Sequence, residues 1–179
     1  MDGSSAGNSR YAKYWMTTKS RAVRRNEHVM AGWINEGLRP NVALTFTLFK
    51  ARRHRGPSGN DWEWGDEYIY SRTYDQFIRR LSKAIYGTKI YRRHRKLIPN
   101  GAMIEGDGSR KRFHLHASLR LPESMLGDEF PKFEQLCRSI WRRSPWAMPD
   151  IIIEEIAYDW VGYSLKEGPE ALLTGTLSF

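Results

Sequence analysis

Apolar and polar positions alternate with period two from Val42 to Lys50. Val42, Leu44, Phe46 and Leu48 fall on one side, which predicts a strand. Before it, from Thr17 to Gly37, the spacing of Ala22, Val23, Met30, Trp33 and Ile34 predicts a basic amphipathic helix that ends at Gly37, with Pro40 beyond. Residues 51–66 show neither period; Gly56, Pro57 and Gly59 among Arg52, Arg53, Arg55, Trp62 and Trp64 read as a loop. Tyr74, Phe77, Ile78, Leu81 and Ile85 then make a helical stripe closed by Gly87. Ala102–Glu105 and Arg112–Arg120 flank the turn-prone Gly106-Asp107-Gly108-Ser109 and predict a hairpin. Asp128 is placed to cap a helix with Pro131 in its first turn, which turns Phe130, Phe133, Leu136, Cys137, Ile140 and Trp141 inward. Pro145 and Pro149 close that region. Ile151–Ile156 reads as a β-branched strand, and Ala157–Glu167 as a last helix stopped by Gly168-Pro169.

From Val42 onward the order is strand, helix, strand, strand, helix, strand, then an extra helix. This predicts an α+β fold with a ferredoxin-like or RRM-like antiparallel sheet, whose first and third strands lie side by side in the middle. Residues 1–40 read as a basic arm and helix ahead of a domain over 41–179.

Composition narrows the class. A 40% hydrophobic share with 13% aromatics excludes a disordered chain, and a lone cysteine, Cys137, excludes a disulfide framework or multi-cysteine zinc module. Cys137 falls on the core stripe of its helix and reads as a small hydrophobe. No apolar stretch reaches membrane-span length and the opening Met1-Asp2-Gly3-Ser4 has no signal-peptide pattern, so a soluble protein of a reducing compartment is expected. The net charge is +9, and it is lopsided. Residues 1–60 carry eleven bases and three acids, whereas 61–179 carry eighteen and seventeen. A polyanionic partner, nucleic acid first, is expected.

The candidate chemistry sits on the third strand. With Phe113, Leu115, Ala117 and Leu119 on the apolar face, His114, His116 and Ser118 project from the other. Two imidazoles two residues apart can bind one cation and leave positions open for substrate. Glu105 ends the preceding strand and shares the histidine face if the intervening loop has an even number of residues. His, His and a carboxylate suit Mn²⁺ or Mg²⁺. On the last helix Tyr163 and Lys166 stand at i and i+3, a spacing that brings a nucleophilic phenol and a phosphate-holding cation to one face. Tyr158, five residues earlier, points about 140° away and competes with Tyr163. Arg110, Lys111 and Arg112 lie beside the site as phosphate contacts. The run Lys89, Arg92, Arg93, Arg95 and Lys96 faces either DNA or solvent. His28, His54 and His94 read as surface groups. Trp62 and Trp64 either stack on bases or pack onto the body.

Taken together, these residues resemble the Rep-type HUH endonucleases, which initiate rolling-circle replication. His114-Leu115-His116 is similar to the family's His-hydrophobic-His motif and Tyr163-Ser164-Leu165-Lys166 to its nucleophile motif. Ala43-Leu44-Thr45-Phe46-Thr47 resembles the first, less specific motif, which brings Thr45 and Thr47 forward as DNA contacts. Glu105 lies where the family often places a third metal ligand, and the tyrosine follows the histidines, as in Rep proteins. The resemblance covers roughly residues 42–168. It implies a single-tyrosine nuclease that nicks single-stranded origin DNA, forms a 5′-phosphotyrosyl link with a free 3′-hydroxyl, and can rejoin strands. It further implies a cytoplasmic location in the host of a plasmid or phage, or the host nucleus if viral. No helicase or NTPase motif follows, so unwinding is expected from a host helicase or from missing sequence, and synthesis from a host polymerase. Residues 1–40 match nothing in the family, and their basic helix is a candidate contact for duplex origin DNA. The alternative is a non-catalytic single-strand-binding module with an RRM-like sheet, in which aromatics stack on bases; His, His and Ser on the third strand argue against it.

Overall fold

Strand pairing explains why every second residue of the Val42–Leu48 segment is apolar: it is covered on both flanks and lines the main core. The computed structural model describes residues 21–56, 59–106, 113–156, 160–165, 172–173 and 178, leaving aside the side chains of 21–27, 33, 55, 56, 59, 60 and 163. In chain order the elements are α1 (Arg21–Leu38), β1 (Val42–Leu48), β2 (Ala51–Gly56), β3 (Gly59–Trp64), α2 (Glu67–Tyr86), α3 (Thr88–His94), β4 (Asn100–Glu105), β5 (His114–Leu119), α4 (Phe130–Trp141), β6 (Ala147–Glu155) and α5 (Trp160–Ser164). The fold is α+β. Its four-stranded sheet has the order β4-β5-β1-β6, every neighbouring pair antiparallel, so β1 and β5 are the central strands.

One face of this sheet holds the larger core. Val42, Leu44, Phe46, Leu48, Leu115, Ala117, Leu119, Ile151 and Ile153 are buried under Tyr74, Phe77, Ile78 and Leu81 of α2 and Phe133, Cys137, Ile140 and Trp141 of α4. Phe46 is the centre of that packing, its ring 5.0 Å from Phe77 and 4.4 Å from Trp141. The contact with Phe77 is edge-to-face, an arrangement that adds about 1 kcal/mol beyond area burial. Burial pushes the Cys137 thiol up, so it is an un-ionised packing group. Helix α2 starts where Asp66 accepts a hydrogen bond from the Ile69 N–H (2.7 Å) and stops at Gly87, whose φ of 81° is open to glycine.

The opposite face is also covered. Ala31, Ile34 and Leu38 of α1 close over Met103 together with Val161, Leu165 and Leu172. The division expected at residue 40 is therefore bridged: the second half of α1 packs against α5 and β4 as part of the body. The helix runs one residue past Gly37 to Leu38, because Leu38 is needed in this second core, and Arg39 takes the left-handed conformation (φ 47°) after it.

Three further expectations need correcting. Residues 51–66 contain a β-hairpin. Its strands lack apolar alternation because cross-strand pairs of other kinds hold them: Arg52 is 2.7 Å from Glu63, and the Arg53 guanidinium lies 5.2 Å from the Trp62 ring. Asp128 does not cap α4. It lies in a 3₁₀ turn (Gly127–Glu129), Glu129 flanks the helix without a side-chain cap bond, and Pro131 in the first turn loses no hydrogen bond there. Pro149 sits inside β6. That is tolerated because β6 is an edge strand whose register against β1 shifts between Phe46 and Leu48, where a missing N–H breaks no ladder bond.

The hairpin is tied to the body at its base, where the Gly65 N–H bonds to the Lys50 carbonyl (2.9 Å) and the Tyr70 hydroxyl donates to the Phe49 carbonyl (3.1 Å). A Cβ on Gly65 would run into the Tyr70 hydroxyl. Gly65→Ala is expected to cost about 2 kcal/mol through overpacking. By contrast Gly32→Ala, mid-helix with nothing within 4 Å, is expected to gain up to about 1 kcal/mol. Thermal melts of the two variants moving in the same direction would contradict this placement of Gly65.

Candidate active site

The sheet's second face places the candidate residues in rows. Eight residues separate Glu105 from His114, an even number, and Glu105 pairs directly with His114 across β4 and β5. On the other side of β5, Thr47 of β1 pairs with His114 and Thr45 pairs with His116. Glu105, His114 and Thr47 form one row, and Met103, His116 and Thr45 the next.

Within these rows His116 is the fixed point. Its Nε2 lies 2.6 Å from Glu105 Oε2 and its Nδ1 lies 3.1 Å from Thr45 Oγ1. The His114 ring runs nearly parallel to it, 16° between planes and 6.4 Å between centroids. His116 and Glu105 are both buried, whereas His114 is half-buried. At 2.6 Å this contact is a hydrogen bond in which the imidazole N–H donates to the carboxylate. Among the described residues no three His, Cys, Asp or Glu side chains are drawn into a closed metal cluster. The donor set nevertheless fits a hard divalent ion. It has two imidazoles and one carboxylate on one face, with the second nitrogen of His116 fixed by a hydroxyl in the way that orients a ligating ring.

Helix α5 lies across this face. Trp160 is buried with its ring 5.6 Å from that of His116, at 71°, and Val161 and Leu165 anchor the helix in the second core. The Ser164 hydroxyl donates to the Trp160 carbonyl (2.9 Å), and α5 packs on β5. Tyr163 belongs to this helix, three positions after Trp160. Its side chain is among those left aside, and Tyr158, Lys166, Arg110, Lys111 and Arg112 lie outside the described residues.

The basic cluster falls elsewhere. Arg92 and Arg93 are exposed on α3, Arg95 takes the left-handed turn that ends it, and Lys96 lies 4.5 Å from the Tyr86 ring. The chain then enters β4 at Asn100, the end opposite Glu105, which separates the cluster from the Glu105–His114 row by about 17 Å of strand. His28, His54 and His94 are exposed.

Thr45, a DNA contact in the sequence resemblance, has its hydroxyl beside His116 Nδ1. The signal for that lay in the adjacency of the first and third strands. Trp160 had no signal at all. Thr45→Val keeps the β-branched shape and removes the partner of Nδ1. It is expected to lower Mn²⁺ affinity roughly 10- to 100-fold with little loss of fold, while Thr45→Ser retains it. Titration of Mn²⁺ against melting temperature measures this, and equal affinities for Thr45→Val and the parent would remove Thr45 as a positioning residue.

Among the described residues no helix is long and apolar enough to cross a membrane. Comparison of the chain with protein families, with curated proteins and with solved structures gives no match.

Proposed function

We propose that the chain is a Rep-type HUH endonuclease on a ferredoxin-like sheet, an initiator that nicks single-stranded origin DNA through Tyr163. The observation that carries the reading is the 2.6 Å contact between Glu105 and His116 beside His114, on the face crossed by the helix that contains Tyr163. The β4-β5-β1-β6 order supports the ferredoxin-like assignment, being the arrangement in which a split β-α-β unit puts its first and third strands in the centre. The non-catalytic alternative, stacking on an open RRM-like sheet, is disfavoured: the face that bears the histidines is covered by α1 and α5.

In this reading Glu105, His114 and His116 would hold Mn²⁺ or Mg²⁺, whose charge would supply polarisation of the scissile phosphate. The Tyr163 phenolate attacks phosphorus in line. The bond to the upstream 3′-oxygen breaks, that oxygen takes up a proton, and the tyrosine keeps the 5′-phosphate of the downstream strand. Lys166 steadies the phosphate charge. The phosphodiester is exchanged for another phosphodiester, so the reverse attack by a 3′-hydroxyl rejoins strands.

The test is to incubate the protein with Mn²⁺ and a pool of single-stranded oligonucleotides of randomised sequence, one half tagged at the 3′ end and the other at the 5′ end. A covalent adduct carrying the 3′ tag on a denaturing gel is expected. An adduct carrying the 5′ tag alone, or the absence of any adduct from the pool, overturns the reading.

A further inference from the structure

The β2–β3 hairpin is folded with the wrong face outward for stability. Its cross-strand register places Arg52 with Glu63 and His54 with Asp61 on one face, and Arg53 with Trp62 and Ala51 with Trp64 on the other. The charge-paired face turns toward the body: Arg52 bonds Glu63 and its guanidinium lies 4.9 Å from the Trp146 ring. The aromatic face looks into solvent, with Trp62 57% and Trp64 63% exposed. Fully burying an aromatic side chain contributes a few kcal/mol, and the cation contacts to Trp62 and Trp64 recover only part of that, so the hairpin leaves most of this apolar area unused in folding.

What accompanies the rings narrows the ligand. Arg53 lies 5.2 Å from the Trp62 ring and Lys50 lies 6.0 Å from the Trp64 ring, while both acids of the hairpin, Asp61 and Glu63, sit on the body-facing side. Among the described residues the side chains beside the two rings are cationic, which suits a polymer with stacked flat bases and a phosphate at every step better than an apolar protein surface. A closed duplex offers phosphates but hides its base faces. We infer that the Trp62–Trp64 face of this hairpin is a binding site for single-stranded nucleic acid, with two bases stacking on the indoles and phosphates meeting Arg53 and Lys50.

The position of the hairpin gives the site a use. It leaves the sheet after Leu48, at the end of β1 where Thr47, His114 and Glu105 form their row. A strand held by the hairpin is thus presented to that end of the sheet. The binding site stands apart from the nicking reading, because it requires no metal and no tyrosine chemistry.

The experiment measures fluorescence anisotropy of a labelled oligothymidylate of about twenty nucleotides, long enough for the few-nucleotide sites of such platforms, at low salt and with a chelator present. Trp62→Ala and Trp64→Ala are each expected to weaken binding roughly 5- to 100-fold, the range of one lost base stack. Trp62→Phe and Trp64→Phe are expected to retain most of the affinity. Arg53→Ala is expected to reduce the slope of log affinity against log salt by about one. Unchanged melting temperatures for the alanine variants separate lost stacking from lost fold. Binding indifferent to both tryptophans, equal tryptophan dependence with the annealed duplex, or a dimer in the parent that both alanine variants dissolve would each overturn the assignment.

Discussion

Tyr163→Phe is expected to abolish the covalent protein–DNA adduct, a loss of at least three orders of magnitude, roughly what removing a nucleophile costs when nothing replaces it. The substitution deletes one oxygen from the helix that Val161 and Leu165 seat in the second core, so the helix stays where it is. Melting temperature, Mn²⁺ binding and oligonucleotide binding should therefore match the parent. Tyr158→Phe serves as the control and should still form the adduct. The label on that adduct should be the one placed at the 3′ end of the DNA, since the downstream fragment stays on the protein. An adduct surviving in Tyr163→Phe and vanishing in Tyr158→Phe would transfer the nucleophile to Tyr158.

His116→Ala carries a second large effect, and it is double. In the sequence reading, both histidines lie on a non-core face and should be removable without harm to the fold. His114 is half-buried at the start of β5. His116, however, is buried, holds the buried Glu105 carboxylate at 2.6 Å and packs its ring against Trp160. Removing it takes a 2.6 Å partner away from a buried carboxylate, at a cost of about 3 kcal/mol. For a chain of this size that is a drop in melting temperature of about 6–12 °C. Glu105→Gln combined with His116→Ala removes that carboxylate's charge and should recover part of the loss, which makes the pair a measurable coupling. Adduct formation should vanish in His116→Ala and in the double variant alike, and Mn²⁺ should raise the melting temperature of the parent while leaving both variants unchanged. Full nicking by a folded His116→Ala protein would end the case for this site.

The sequence by itself carried the local periods. The alternation in β1 and β5 and the stripe of α2 from Tyr74 to Leu81 are visible because burial on one face imposes them, and the structure puts those residues in the core. The same alternation set His114, His116 and Ser118 apart from the core stripe, whereas Glu105 was placed beside them only on a condition of strand register, which its pairing with His114 meets. The hairpin β2–β3 was illegible because its pairs are charged or aromatic, so no apolar period marks it; chain reversal and Gly65 against Tyr70 hold it in place. Only the tertiary structure decided what lies over the histidine face. Whether that face meets water or a helix depends on where α1 and α5 cross the sheet, and their short apolar stripes give no partner. It also decided that the cations of residues 89–96 sit at the far end of β4 and that the Trp62–Trp64 face points outward. Those are facts of three-dimensional placement, set by strand register and the ends at which loops leave the sheet, and spacing along the chain does not encode them.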